Sequence, residues 1–258
     1  MIAGLLAFAG NAIAEEASEN GAQSGPGIEA PRVSDRHDRV LFGSVELAEV
    51  SIFSGSGIKY SLSGDVEAPG PIAMAMTNIG ATRERWEGPD DFVAYLPRLT
   101  RITRVYFGRQ GNTPLGFLTL AGGAEILRKQ EFGADALPRW QEPKVGAAFL
   151  GELWREAPLP DGTGFGDRDG LIHVSVMAGT AAPSVWARVA GGVAVADGVF
   201  AGPELAGYLE PDYREWRIGA HVTGMRLGPL HLRFSGGMVM PEGGRSDVYL
   251  GLQGHFLR

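Results

Sequence analysis

The sequence predicts an all-β fold: an antiparallel up-and-down β-barrel of about 12 strands, of the membrane type, preceded by a disordered N-terminal segment. Three observations carry that expectation. Apolar and polar residues alternate with period two over segments of about ten residues. Turn signals separate those segments at regular intervals. The 39 glycines among 258 residues stand singly inside apolar stretches, at roughly twice the usual share of about 7%. Single glycines within strands mark curvature and close backbone approach, as where a sheet closes on itself.

Residues 2–14, "IAGLLAFAGNAIA", form a short apolar run ending in small residues, after which the chain turns abruptly polar. This is the pattern of a secretion signal over 1–14. The run is shorter than the roughly 20 residues a spanning helix needs, and no Lys or Arg precedes it. Residues 15–38, rich in Gly, Ser, Glu and Pro, read as a disordered linker. The barrel then occupies 39–258.

Within the body, strands are expected at 40–50, 52–64, 71–82, 100–110, 115–128, 144–155, 170–180, 184–196, 199–208, 213–227, 230–240 and 246–256. The pattern of 100–110, "TRITRVYFGR", is ambiguous, and 83–99 reads as a long loop with a helical turn. In the strand from Ser184, Val185, Ala187, Val189, Val193 and Val195 share one face and Trp186 and Arg188 the other. Val248, Leu250, Leu252 and Phe256 likewise oppose Tyr249, Gln253 and His255; Val145, Ala147, Phe149 and Leu153 oppose Glu152. Turn signals fall at Pro69, Gly111, the run from Leu159, Gly198, Gly228 and Gly243.

Periodicity does not say which face meets lipid. A soluble sandwich or lipocalin-like periplasmic barrel that binds a ligand would turn the apolar face inward, whereas an outer-membrane barrel turns it outward. The secretion signal, the acidic chain and the glycines of the polar face favour the membrane form. With no cysteine, thiol catalysis, disulfides and cysteine-bound metal are excluded. A net charge of −7 with a pI near 5.3 argues against nucleic acid as a partner. The five histidines have no zinc-ligand spacing, and no cofactor is expected.

Residues 201–258 carry a segment Gly202-Pro203-Glu204, then Trp216-Arg217-Ile218-Gly219-Ala220-His221, Arg226-Leu227-Gly228-Pro229-Leu230 and Ser235-Gly236-Gly237. This stretch resembles the C-terminal part of BcsS-type cellulose-biosynthesis proteins; "LFGSVELAEV" and "AGGAEILRKQ" are similar to earlier strands of that family. The resemblance implies a secreted barrel in the bacterial outer membrane that supports cellulose synthesis or export. Its partners would be outer-membrane lipid and cellulose or the cellulose synthase and export complex. The resemblance brings strands and turns, and no catalytic signature.

On the polar face, Glu152, Arg188, Arg217, His221, Arg226, His231 and Arg233, with Glu215, would line the interior. Trp154, Trp186 and Tyr249 would offer aromatic platforms to a glucan. The same charges would equally pair across strands to fill a narrow lumen. His173 and Ser175, two apart on a strand, share a face as the base and nucleophile of a lipid-modifying barrel enzyme would, but no orienting acid or oxyanion site is apparent. Asp161, Asp167 and Asp169 superficially resemble a calcium loop without its bidentate Glu, and read as a solvated hairpin. Trp86, Trp140 and Trp216 suit interfacial girdles.

The stretch from Tyr213 to Ser235 makes the most specific prediction. A two-residue turn at Gly228-Pro229 pairs residues whose numbers sum to an odd value, yet the polar positions are odd on both strands. One extra residue near Gly224 resolves the conflict. It sets Arg226 opposite His231 and turns Trp216, Ile218, Val222, Leu232 and Phe234 toward lipid.

Overall fold

The computed structural model describes residues 36–258 apart from 50, 88–92, 133–136, 160–167, 212 and 244; the side chains of 83–97 and 131 are also outside the description. The expected signal, most of the linker, and Asp161 and Asp167 lie outside the described residues. Those that are described form thirteen strands and no helix: β1 (Arg39–Ala48), β2 (Ser51–Ser61), β3 (Gly70–Glu87), β4 (Val93–Thr113), β5 (Gly116–Phe132), β6 (Pro138–Trp140), β7 (Lys144–Pro158), β8 (Asp169–Gly179), β9 (Ser184–Ala196), β10 (Val199–Glu210), β11 (Tyr213–Leu227), β12 (Leu230–Pro241) and β13 (Asp247–Leu257). Each pairs antiparallel with its neighbours, and β1 pairs with β13 from Val40↔Leu257 to Ala48↔Tyr249, closing the ring. The short β6 pairs only with the end of β5. The other twelve strands are the barrel, and closure leaves no edge with unpaired backbone groups.

The two faces are sharply different. Leu41, Val45 and Leu47 on β1, Val105 and Phe107 on β4, Val145 and Phe149 on β7, Val185 and Val189 on β9, and Val248, Leu250 and Leu252 on β13 are all exposed, with Phe107 at 65% and Val145 at 72%. Their alternation partners, among them Tyr106, Leu150, Arg188, His221 and Tyr249, are buried. The apolar face therefore points outward around the whole ring, which is the membrane-spanning arrangement and not that of a soluble ligand-binding barrel. A contiguous outer surface this apolar is stable only in lipid.

The β11–β12 hairpin forms as predicted. Pairs run from Glu215↔Pro241 to Thr223↔Arg233, shift by one, and continue as Met225↔Leu232, Arg226↔His231 and Leu227↔Leu230. The unpaired residue is Gly224, with φ +90°, whose position leaves no room for a Cβ: it would lie 1.9 Å from the Gly198 carbonyl oxygen. Trp216, Ile218 and Phe234 are exposed on the outer face, with Val222 and Leu232 half-buried beside them.

One expectation fails. Residues 83–99 are not a long loop with a helical turn: β3 continues to Glu87, β4 begins at Val93, and the two pair as Glu87↔Val93 and Trp86↔Ala94. Beyond the lipid both faces of a hairpin meet water, so the apolar alternation that marks a strand disappears while the backbone ladder continues. The charged run "RERWE" conceals a strand for that reason.

Candidate functional site

The lumen is where the polar residues converge, and its two walls differ. On β3 to β8 the inward side chains are largely apolar: Met74, Tyr106, Ala121, Ala148 and Leu150 form a buried cluster, with Phe42, Met76 and Met177 packed against it. Within that wall lies a buried ion pair, Arg104 Nε donating to Glu125 Oε2 at 2.9 Å. The other oxygen of Glu125 accepts from the backbone N–H of Ala181 at 2.9 Å, so the β8–β9 turn is tied inward at one end of the barrel. At the opposite end, Gln110 Nε2 donates to the carbonyls of Val66 and Ala68 at 2.7 and 2.8 Å and holds the β2–β3 loop in the same way.

The wall from β9 to β13, with β1, is a hydrogen-bonded network. Arg233 binds Glu204 through Nη2 and donates to Thr223 Oγ1 from Nη1 at 3.0 Å. His221 Nε2 lies 3.1 Å from the Gly191 carbonyl, which requires a donor there. Its Nδ1 is then left to accept from the Thr223 hydroxyl at 2.9 Å. Tyr249 donates to Glu204 Oε1 at 3.3 Å. Its hydroxyl sits where a Cβ on Gly219 would come within 2.7 Å, so the glycine makes the space for the ring. Arg217 bonds Glu215 at 2.6 Å and also Glu46 of β1. Arg188 reaches Gln253 of β13 at 3.1 Å and lies 5.4 Å from the Trp186 ring. Between the walls, His173 Nε2 meets Glu152 Oε1 at 2.9 Å, with the Trp154 ring 5.0 Å from the imidazole.

Of the ten residues expected to line the lumen, the network gathers Arg188, Arg217, His221, Arg233 and Tyr249. Glu152 and Trp154 meet at His173, and Trp186 stacks with Arg188. Arg226 is exposed near the β11–β12 turn, and His231 stacks on His255 at 4.7 Å. Buried Arg188, His221, Arg233 and Tyr249 are bonded to neighbouring wall groups, with Arg188 Nε and Arg233 Nε left without a partner among the described residues, so a sugar hydroxyl would have to displace an existing partner at most of these atoms. Several partners escaped the sequence reading: Glu46, Arg104, Glu125 and Glu204. A lone carboxylate among small residues, as in "AGGAEIL" and "AGPELAG", is the signal that marks two of them.

His173 and Ser175 do share the inner face, and Glu152 supplies the acid that the sequence did not locate. The series stops there, because the second ring nitrogen of His173 has no partner and so is not bonded to Ser175. Both residues are buried. No group of three or more His, Asp or Glu side chains suited to a metal ion occurs among the described residues. Trp140 and Trp216 are exposed on the outer face, at 46% and 50%.

Fold and lumen together define a transmembrane β-barrel whose interior charged side chains are largely paired across strands. The chain belongs to the cellulose biosynthesis protein BcsS family, whose model matches residues 40–257. No curated protein matches it. Solved structures similar to it include the β domain of the Bordetella autotransporter BrkA, 15% identical over 87% of this chain and 100% of that one, with a TM-score of 0.46. Another is the Acinetobacter baumannii outer membrane protein Omp33, 11% identical over 86% and 98%, with a TM-score of 0.38. A third is Pseudomonas putida OprB, 10% identical over 84% and 91%, with a TM-score of 0.35.

Proposed function

We propose that this chain is an outer-membrane barrel that supports bacterial cellulose biosynthesis or export without catalysing a reaction itself. The observation that carries the reading is the apolar outer face of a closed twelve-strand ring, joined to membership of a family named for cellulose biosynthesis. Closed barrels of this kind reside in outer membranes. The non-catalytic part is supported by the broken series at His173 and by the burial of Ser175. The paired interior favours a role as scaffold for the synthase and export complex over one as a sugar-lined tunnel.

Deletion of the gene in a cellulose-producing host tests the role. Dye-binding exopolysaccharide is expected to fall and to return when the full chain is restored; unchanged levels would end the cellulose reading. Fractionation should recover the protein with the outer membrane, and recovery in the soluble periplasm would refute that placement. Restoration with Ser175→Ala is expected to work as well as wild type and to leave envelope lipid composition unchanged.

A further inference from the structure

On the outer face of β4 and β5 two arginines stand directly opposite each other, Arg101↔Arg128. Both are exposed. Like charges in register on one face repel, so such a pair ordinarily has carboxylates beside it. Neither arginine has a carboxylate partner among the described residues. Two other arginines have an acid beside them: Arg214 lies 3.6 Å from Glu242, and Arg39, which stands opposite Arg258, lies 3.1 Å from Asp38. Trp140 completes the constellation. It pairs with Gln130 two residues beyond Arg128, is half-exposed, and its ring lies 5.7 Å from the Arg128 guanidinium.

The height of the pair is set by what lies below it. Proceeding along the outer face of β4 from Arg101, the residues are Thr103, Val105, Phe107 and then Arg109, with Ile126 and Leu120 alongside on β5. The Thr103 hydroxyl is satisfied by Thr77 at 2.6 Å. Eight residues at about 3.3 Å each, tilted by about 40°, span roughly 20 Å along the membrane normal, close to the apolar band of about 25 Å. Arg101 and Arg128 therefore sit at one boundary of the lipid and Arg109 at the other. The pair's end of the barrel is opposite the end that holds Arg39 and Arg258. Short and long connections occur at both ends, but β3 and β4, the longest strands at 18 and 21 residues, continue past the belt at the pair's end. The longer excursions of such barrels face outward, and the β3–β4 extension is the longest paired one, so the arginine pair meets the outer leaflet.

We propose that Arg101 and Arg128, flanked by Trp140, bind the phosphate of an outer-leaflet saccharolipid of the lipid A type. Two planar guanidiniums side by side present parallel donors to a tetrahedral dianion, and phosphate is the group whose charge and acceptor count match them. The exposed Trp140 supplies the amphipathic edge that suits the sugar and acyl junction. The inference rests on the outer-membrane placement and not on any role in cellulose production, so a failed cellulose phenotype would leave it standing.

The test is native mass spectrometry of the purified full chain in detergent, titrated with diphosphoryl lipid A and, separately, with phosphatidylglycerol. The wild-type protein is expected to retain lipid A in preference to phosphatidylglycerol. The R101Q/R128Q double variant should bind it at least about tenfold more weakly, as loss of charged hydrogen bonds implies, while R214Q should leave binding unchanged. Folding of each variant is read from heat-dependent electrophoretic migration. Should the double variant not fold, the wild-type protein alone decides, because dephosphorylated lipid A must then bind about tenfold more weakly than the diphosphoryl form. Equal retention of phosphatidylglycerol, undiminished binding by a folded double variant, or indifference to the phosphates would each overturn the proposal.

Discussion

Among the described residues Tyr106 and Tyr249 are the two largest side chains that are wholly buried, and they occupy opposite walls of the lumen. Tyr106 of β4 packs among Met74, Ala121, Ala148 and Leu150, and its hydroxyl has no partner among the described residues. Tyr249 of β13 hydrogen-bonds Glu204 and holds its ring 5.6 Å from the Arg217 guanidinium. The same residue type thus does two jobs. On one wall it fills volume, and on the other it is a member of a charged network. The apolar wall is held by area removed from water and by packing. The polar wall is held by mutual satisfaction, so each of its members is costly to remove singly.

The largest effect should come from breaking that mutual satisfaction. Arg233→Leu leaves Glu204 as a buried, uncompensated charge, at an expected cost of about 3–5 kcal/mol in urea unfolding followed by gel migration. Replacing Glu204 by Leu as well should recover most of the loss, since removing both charges removes the penalty. If the double replacement is as damaging as the single one, the polar wall is held by more than pairing and the contrast drawn above fails. On the apolar wall Tyr106→Ala should cost about 3 kcal/mol through the cavity it opens. That loss should be insensitive to salt.

Next in size is the substitution that tests how the polar wall is aimed. At Gly224, Ala would need a left-handed backbone and would press on the Gly198 carbonyl, for a cost of about 2 kcal/mol. The loss should be accompanied by faster amide exchange at Thr223 and Met225. This position also explains what the sequence disclosed. The conflict between an even-spaced polar set and a two-residue turn can be read from residue types alone, because inside the membrane the two faces of a strand meet different solvents. That contrast exposed nearly every barrel strand, and even the bulge. It fades where β3 and β4 leave the lipid, so Arg83–Glu87 read as loop although their backbone is paired. The lumen was legible only by face. Parity puts Arg188, Arg217 and Arg233 inside, but cross-lumen partners such as Arg188 with Gln253 or Arg217 with Glu46 depend on strand stagger around the ring, which no local pattern encodes.

The smallest expected effects return to the two tyrosines and separate the walls most cleanly, because the substitution removes one oxygen and leaves the ring. Tyr249→Phe takes a donor from Glu204, whose other oxygen is already engaged by Arg233, and should cost about 1 kcal/mol. Tyr106→Phe removes a buried hydroxyl without a partner and should be neutral or slightly stabilising, since no hydrogen bond is lost and a desolvation cost is relieved. Measured side by side in the same denaturant series, the two variants should differ in sign or in size by about 1 kcal/mol. Equal losses would mean that the Tyr106 hydroxyl also finds a partner in the folded barrel, and that the apolar wall is less dry than its neighbours imply.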